Sequence, residues 1–199
     1  MATLRVCFVG DSFVNGTGDD ACLGWSGRVC AAAREDGHDL TYYNLGIRRE
    51  TTADILARWS AEVRPRLPTP AEGRLVFSFG ANDLTIEHGQ PRIAPDRSVD
   101  HARAILSEAS RRCPTLLVGL TPSPDDERNQ RARVLDERYA ALCADLGIPM
   151  LRVYDALLSS RPWLEEPTRG DGIHPNAGGY ADLARLIIGW DAWQAWLRG

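Results

Sequence analysis

Short, unbroken apolar runs alternate along this chain with stretches whose apolar residues recur every three or four positions. The unbroken runs predict strands at Arg5–Val9, Leu40–Asn44, Leu75–Ser78, Leu116–Leu120 and Met150–Val153. A strand that is apolar at successive positions has no solvent face, so these runs suit a sheet covered on both sides.

The helical stretches lie between them. Trp25, Val29 and Ala32-Ala33 form one apolar face. Ile55, Leu56, Trp59 and Val63 form the next, with Thr51 three residues before Asp54 as an N-terminal capping pair. Val99, Ala102, Ile105-Leu106 and Ala109 predict a third helix, stopped by Pro114. A fourth carries Val134-Leu135, Tyr139, Leu142 and Leu146 and ends at Gly147; the last starts near Asn176 and carries Tyr180, Leu183-Ala184 and Ile187-Ile188. Such strand–helix alternation predicts an α/β fold with a mostly parallel sheet and helices on both faces. Ligands in such sheets bind beyond the carboxyl ends of the strands. The loops after the strands are therefore where chemistry is expected, among them two long polar ones, Asp83–Arg97 and Thr121–Arg131.

Composition narrows the chemistry. At 199 residues, 44% of them hydrophobic and 25% charged, the chain reads as one soluble globular domain, 1–199. A net charge of −4 gives no basic footprint for nucleic acid. All 23 basic residues are arginine. The absence of lysine removes Schiff-base chemistry, the P-loop lysine and Ser-Lys dyads. The cysteines (Cys7, Cys22, Cys30, Cys113, Cys143) lack CxxC spacing and read as reduced thiols, and the four histidines lack paired-ligand spacing, so no metal is expected. No secretory leader precedes the first strand and no apolar run spans a bilayer, which predicts a cytoplasmic protein without a membrane span.

Three strand-end loops and the loop before the last helix carry reactive or polar groups: Gly10-Asp11-Ser12-Phe13, Asn44-Leu45-Gly46, Gly80-Ala81-Asn82-Asp83 and Asp171-Gly172-Ile173-His174. A serine hydroxyl becomes a useful nucleophile when an imidazole takes its proton and a carboxylate holds that imidazole. Ser12, His174 and Asp171 are those residue types. The backbone N–H groups of Ser12 and Gly46 and the amide of Asn82 are candidate donors to an oxyanion. Gly46 is expected to be glycine so that substrate can approach its backbone.

In these residues the chain resembles the SGNH hydrolases, or GDSL-type esterases, over essentially its whole length. Ser12, Gly46, Asn82 and His174 match the family's four letters in order, Asp171 its DxxH acid, and Asn44–Arg48 with Thr51-Thr52 its second block. The resemblance implies a three-layer α/β/α, flavodoxin-like fold with a five-stranded parallel sheet. It also implies a catalytic triad of Ser12, Asp171 and His174, an oxyanion hole of Ser12, Gly46 and Asn82, and ester hydrolysis through an acyl-enzyme without a cofactor. Two positions depart from the pattern: Phe13 stands at the fourth letter of GDSL, and Arg49 stands where a small residue, often glycine, is common.

The expected activity is a serine esterase acting on small acyl esters. An acyltransferase with the same triad, or a binding module that kept the fold, are the alternatives. Arg48 and Arg49 are candidate substrate contacts, and Asp83 is expected to brace its loop. His38, His88 and His101 read as ordinary surface or loop residues, and Gly16-Thr17-Gly18 lacks the rest of a dinucleotide fingerprint. Trp190, Trp193 and Trp196 predict packing against the domain, with a homo-oligomer contact as the sharper reading.

Overall fold

The computed structural model, which describes residues 3–68 and 72–198, has seven strands and nine α-helices among those residues, five of each in the predicted alternation. The strands are β1 (Leu4–Gly10), β2 (Leu40–Gly46), β3 (Glu72–Ser78), a small hairpin of β4 (Ile86–Glu87) and β5 (Gln90–Pro91), β6 (Thr115–Val118) and β7 (Met150–Leu151). The helices are α1 (Ser12–Asn15), α2 (Gly24–Glu35), α3 (Thr52–Val63), α4 (Pro95–Arg112), α5 (Asp126–Leu146), α6 (Tyr154–Leu158), α7 (Arg161–Glu165), α8 (Ala177–Ile188) and α9 (Asp191–Arg198).

Five strands form one parallel sheet in the order β2-β1-β3-β6-β7. The chain starts in the middle and winds first one way, then the other, so the direction reverses between β1 and β3. That reversal opens a crevice at the carboxyl ends of these two strands. Helices α2 and α8 pack together on one face, and α3, α4 and α5 pack in series on the other. Double coverage explains the unbroken apolar runs: in β1 every residue but Arg5 is buried. The fold is the three-layer α/β/α sandwich that the pattern predicts.

The predicted capping pair forms a capping box, in which the Thr51 side chain accepts from the Asp54 N–H and the Asp54 carboxylate accepts from the Thr51 N–H. Such a cap is worth about 1 kcal/mol.

Several boundaries differ from expectation for identifiable reasons. The run Leu116–Leu120 is a strand only to Val118, because the buried Asp136 of α5 takes the Leu120 N–H at 2.9 Å. The same carboxylate holds Arg152 Nε at 2.8 Å, and β7 is two residues long because α6 begins just past Val153. The loop Asp83–Arg97 contains the β4–β5 hairpin and the first residues of α4, and Thr121–Arg131 gives way to α5 at Asp126. Asp125 caps α5 by accepting the Arg128 N–H, and Pro95 opens α4 where its missing N–H costs nothing. Among the described residues, no helix is long and apolar enough to cross a membrane.

The C-terminal tryptophans turn inward instead of forming an exposed patch. Trp193 is 1% exposed, its ring 6.3 Å from those of Phe8 and Trp196. Trp190 and Trp196 are half-buried against the same core, with the Arg74 guanidinium over the Trp196 ring. Trp193→Ala is therefore expected to cost about 3–5 kcal/mol of folding stability. Chemical denaturation of the native and variant proteins measures this.

Candidate active site

The chain leaves β1 at Gly10 and turns at once into α1. Asp11 caps this single turn, its Oδ1 accepting the Phe13 N–H at 3.0 Å, and sets Ser12 at the first helical position. The N–H groups of a first helical turn have no intrahelical partner. The Ser12 N–H has none among the described residues.

At the far end of the chain, Asp171 folds His174 back onto itself. Its Oδ1 accepts the N–H groups of Ile173 and His174, at 3.0 and 2.9 Å. Its Oδ2 lies 2.7 Å from His174 Nδ1, and His174 Nε2 lies 2.7 Å from Ser12 Oγ. Serine, imidazole and carboxylate thus form one continuous line.

A clasp between the chain ends fixes this meeting. The Asp20 N–H donates to Asn176 Oδ1, and Asn176 Nδ2 donates back to Asp20 Oδ2 at 2.7 Å. The Tyr180 hydroxyl donates to the Thr17 carbonyl at 2.7 Å. Gly18, at φ +90°, lets this loop pass against His174, where a Cβ would sit 3.0 Å from the histidine Cβ. Phe13 stacks on Trp163 and tilts over the imidazole at 5.0 Å, so the apolar fourth residue of the first motif walls the histidine.

Electrostatics follow from burial and pairing. Burial, the larger influence, together with Arg48 and Arg128, holds His174 below the ordinary histidine value despite the opposing pull of Asp171. The imidazole is consequently neutral, and able to accept a proton, at neutral pH. Asp171 is brought down to about 2: the hydrogen bonds from His174 and Ile173 outweigh the opposing desolvation. Arg48 Nη2 adds an ion pair to the same Oδ2 at 3.0 Å.

Asn82 follows β3. Its Nδ2 donates to the Glu50 carbonyl at 2.9 Å, which orients the amide and leaves it a second hydrogen. Asp83 braces this turn from below. It is fully buried and accepts the Thr52 N–H at 2.8 Å and the Thr52 and Ser98 hydroxyls at 2.6 Å each. The expected bracing role of Asp83 is what these bonds describe. His101, expected as a surface residue, lies in α4, half-buried, with Nδ1 3.0 Å from Thr52 Oγ1.

Ser12, Asn82, Arg48, Arg49 and His174 border one cavity of about 230 Å³. Gly46 does not line it. Its N–H donates to Asn44 Oδ1 at 2.9 Å, and a Cβ there would press into Asn15 N and the Asp11 carbonyl. Gly46 is glycine because α1 crosses directly over β2, not because a substrate approaches its backbone. Arg49 lines the cavity, stands at φ +71° and has an N–H without a partner among the described residues. The sequence signal was the spacing back from Thr51-Thr52, where the expected small residue is replaced by Arg49. Arg128 of α5 also lines the cavity, and sequence reasoning missed it because no motif marks it.

Asp11 is buried, and desolvation pushes its carboxyl up to about 7. A group whose folded value is raised binds its proton more tightly when folded, so its contribution to stability falls as pH rises from about 4 toward 7. Asp11→Asn keeps an oxygen to accept from Phe13 and removes the buried charge. The melting temperature of the variant relative to native is expected to rise between pH 5 and pH 8, as thermal melts at the two pH values will show.

Comparison with known proteins places this geometry. The model of the GDSL-like Lipase/Acylhydrolase family matches residues 8–181. Solved structures share the fold: Axe2, an acetylxylan esterase from Geobacillus stearothermophilus, has a TM-score of 0.77 at 16% identity, with 96% of each chain covered. The lipase/acylhydrolase from Enterococcus faecalis gives 0.71 at 24% identity over 94% of each chain. LAE5, an alpha/beta hydrolase enzyme from the metagenome of Lake Arreo in Spain, gives 0.76 at 20% identity, covering 97% of this chain and 96% of its own. A search of curated protein sequences gives no match. With the family model extending from β1 into α8, the chain belongs to the GDSL-like lipase/acylhydrolase family.

Proposed function

We propose that this protein is a serine esterase that hydrolyses small acyl esters through an acyl-Ser12 intermediate. The observation that carries the reading is the unbroken line from Asp171 through His174 to Ser12, with both imidazole contacts at 2.7 Å. Membership of a lipase/acylhydrolase family supports the reaction class.

In the proposed reaction His174 Nε2 takes the Ser12 hydroxyl proton as Oγ bonds to the acyl carbon. Asp171 holds the imidazolium that forms. Collapse of the tetrahedral intermediate breaks the bond to the alkoxide, which leaves with the proton from His174. Water, deprotonated by the same imidazole, then releases the acid and restores Ser12. The oxyanion donors are the Ser12 N–H, the second Asn82 amide hydrogen and, in place of Gly46, the Arg49 N–H. The Ser12 and Arg49 N–H groups, unpartnered among the described residues and beside the cavity, support this choice. A cavity of about 230 Å³ suits a short acyl group.

On p-nitrophenyl acetate, Ser12→Ala is expected to lower kcat by a factor on the order of 10⁴ or more, and Asn82→Ala by about 10²–10³. Native protein without turnover, or Ser12→Ala with full turnover, sinks the reading. A sulfonyl fluoride, which labels an activated serine and not an inert one, gives an independent check.

The pH profile has a defined sign. His174 must be neutral to act as base, and its value is lowered, so kcat/KM should rise with pH through a midpoint below the ordinary histidine value of about 6.5 and level off above it. Arg48 contributes to that lowering. Arg48→Gln should therefore move the midpoint upward, which a pH–rate series for both proteins would reveal.

A further inference from the structure

Charge in the cavity beside Ser12 runs opposite to that of the whole chain. The protein carries a net −4, yet the cavity is lined by four guanidinium groups (Arg48, Arg49, Arg92, Arg128) and one carboxylate, Glu87. Two of the four are occupied: Arg48 pairs with Asp171 at 3.0 Å and Arg92 with Glu87 at 3.5 Å. The other two have no carboxylate within ion-pair distance among the described residues.

Arg128 is the more telling of these. Its Nη2 donates to the Ala81 carbonyl at 2.9 Å, next to Asn82, and the guanidinium is sunk far enough that desolvation pulls it below the ordinary arginine value. A half-buried guanidinium that makes no direct ion pair keeps donors free for an anion. Asp11 acts on it electrostatically but lies outside ion-pair distance among the described residues, and burial pushes the Asp11 carboxyl upward. Asp125 accepts the Arg128 N–H at the helix cap and adds its field at the guanidinium without forming an ion pair with it. Arg128 and Ile173 also line an adjoining cavity of about 320 Å³, so Arg128 stands between two spaces, the first of which is bordered by Ser12. Arg49 faces the first of these spaces, with an exposed side chain that makes no polar contact among the described residues.

We propose that the preferred substrate is an ester carrying a second, anionic group, a carboxylate or a phosphate, which Arg128 and Arg49 receive a few atoms from the scissile carbonyl. A planar guanidinium fork suits both anions, and a charge-assisted bond of this kind is stronger than a neutral one. The inference rests on Ser12 acting as the nucleophile for its catalytic part, but the anion site itself does not.

The test compares matched esters. Mono-p-nitrophenyl glutarate set against p-nitrophenyl pentanoate places a carboxylate on the acyl side. 4-Acetoxyphenyl phosphate set against phenyl acetate places a phosphate on the alcohol side. At least one anionic ester is expected to exceed its neutral partner about tenfold in kcat/KM at low salt. That ratio should fall toward one in both Arg128→Gln and Arg49→Gln. The second variant alters an exposed side chain, so misfolding of the first would leave the question answerable.

Thermal shift supplies a readout without turnover. Glutarate or phenyl phosphate should raise the Tm of native protein more than that of either variant. If no ester is cleaved but the anions still stabilise, the esterase reading falls and the anion site stands. If neutral esters are cleaved with no anionic preference and no Tm response, the site falls and the esterase reading stands. A ratio unchanged in both variants also overturns it.

Discussion

Everything at this site depends on a clasp between the two ends of the chain. Ser12 and His174 stand 162 residues apart, and no local structure relates them. The reciprocal bonds of Asp20 and Asn176, the Tyr180 hydroxyl on the Thr17 carbonyl, and the close passage of Gly18 past His174 join the loop after α1 to the start of α8. Glu166 anchors the other side of that helix start, accepting the N–H groups of Asn176, Gly178 and Gly179 at 2.8, 3.1 and 2.8 Å. A carboxylate at this position satisfies orphan donors and faces the positive end of the α8 dipole. Side-chain bonds therefore hold the imidazole loop on both flanks, while Asp171 fixes the ring from within.

A second support lies beneath Asn82. Asp83 gathers Thr52 from the start of α3 and Ser98 from the start of α4, and Ser98 passes the chain on to the Tyr139 hydroxyl of α5 at 2.6 Å. One buried carboxylate thus locks three helices to the turn that presents the amide. Burial raises its carboxyl value, and the bonds from Ser98 and Thr52 oppose the rise. A fully satisfied buried network of this kind specifies one arrangement of its elements.

How much of this was legible in the sequence depends on how local the signal is. The doubly covered strands announced themselves because burial on both faces leaves a run such as Val6–Val9 without a polar interruption. The motifs around Ser12 and His174 were readable because each packs its chemistry into three or four adjacent residues. Gly46 misled because the block from Asn44 to Thr52 holds two positions suited to a small residue, and only the backbone separates them: Gly46 under α1, Arg49 at positive φ on the cavity rim. Arg128 was invisible, since its role comes from the docking of α5 beside the Ala81 carbonyl and from no pattern around it. The ends of β6 and β7 were misjudged for a similar reason, because Asp136 acts on them across the fold.

The hairpin of β4 and β5 has a different kind of consequence. Among the described strands it pairs only with itself, outside the five-stranded sheet, and yet it brings Glu87 to the cavity and leads directly into Arg92. Its residues are exposed or half-buried, and Gly89 at its tip has open space around it. Two of the cavity's charged groups, Glu87 and Arg92, thus sit on or beside an appendage whose sequence is nearly independent of the core. A lineage could lengthen, shorten or re-charge this appendage without disturbing the clasp or the Asp83 network. Part of the cavity's charge can in this way change while the packed fold beneath it does not.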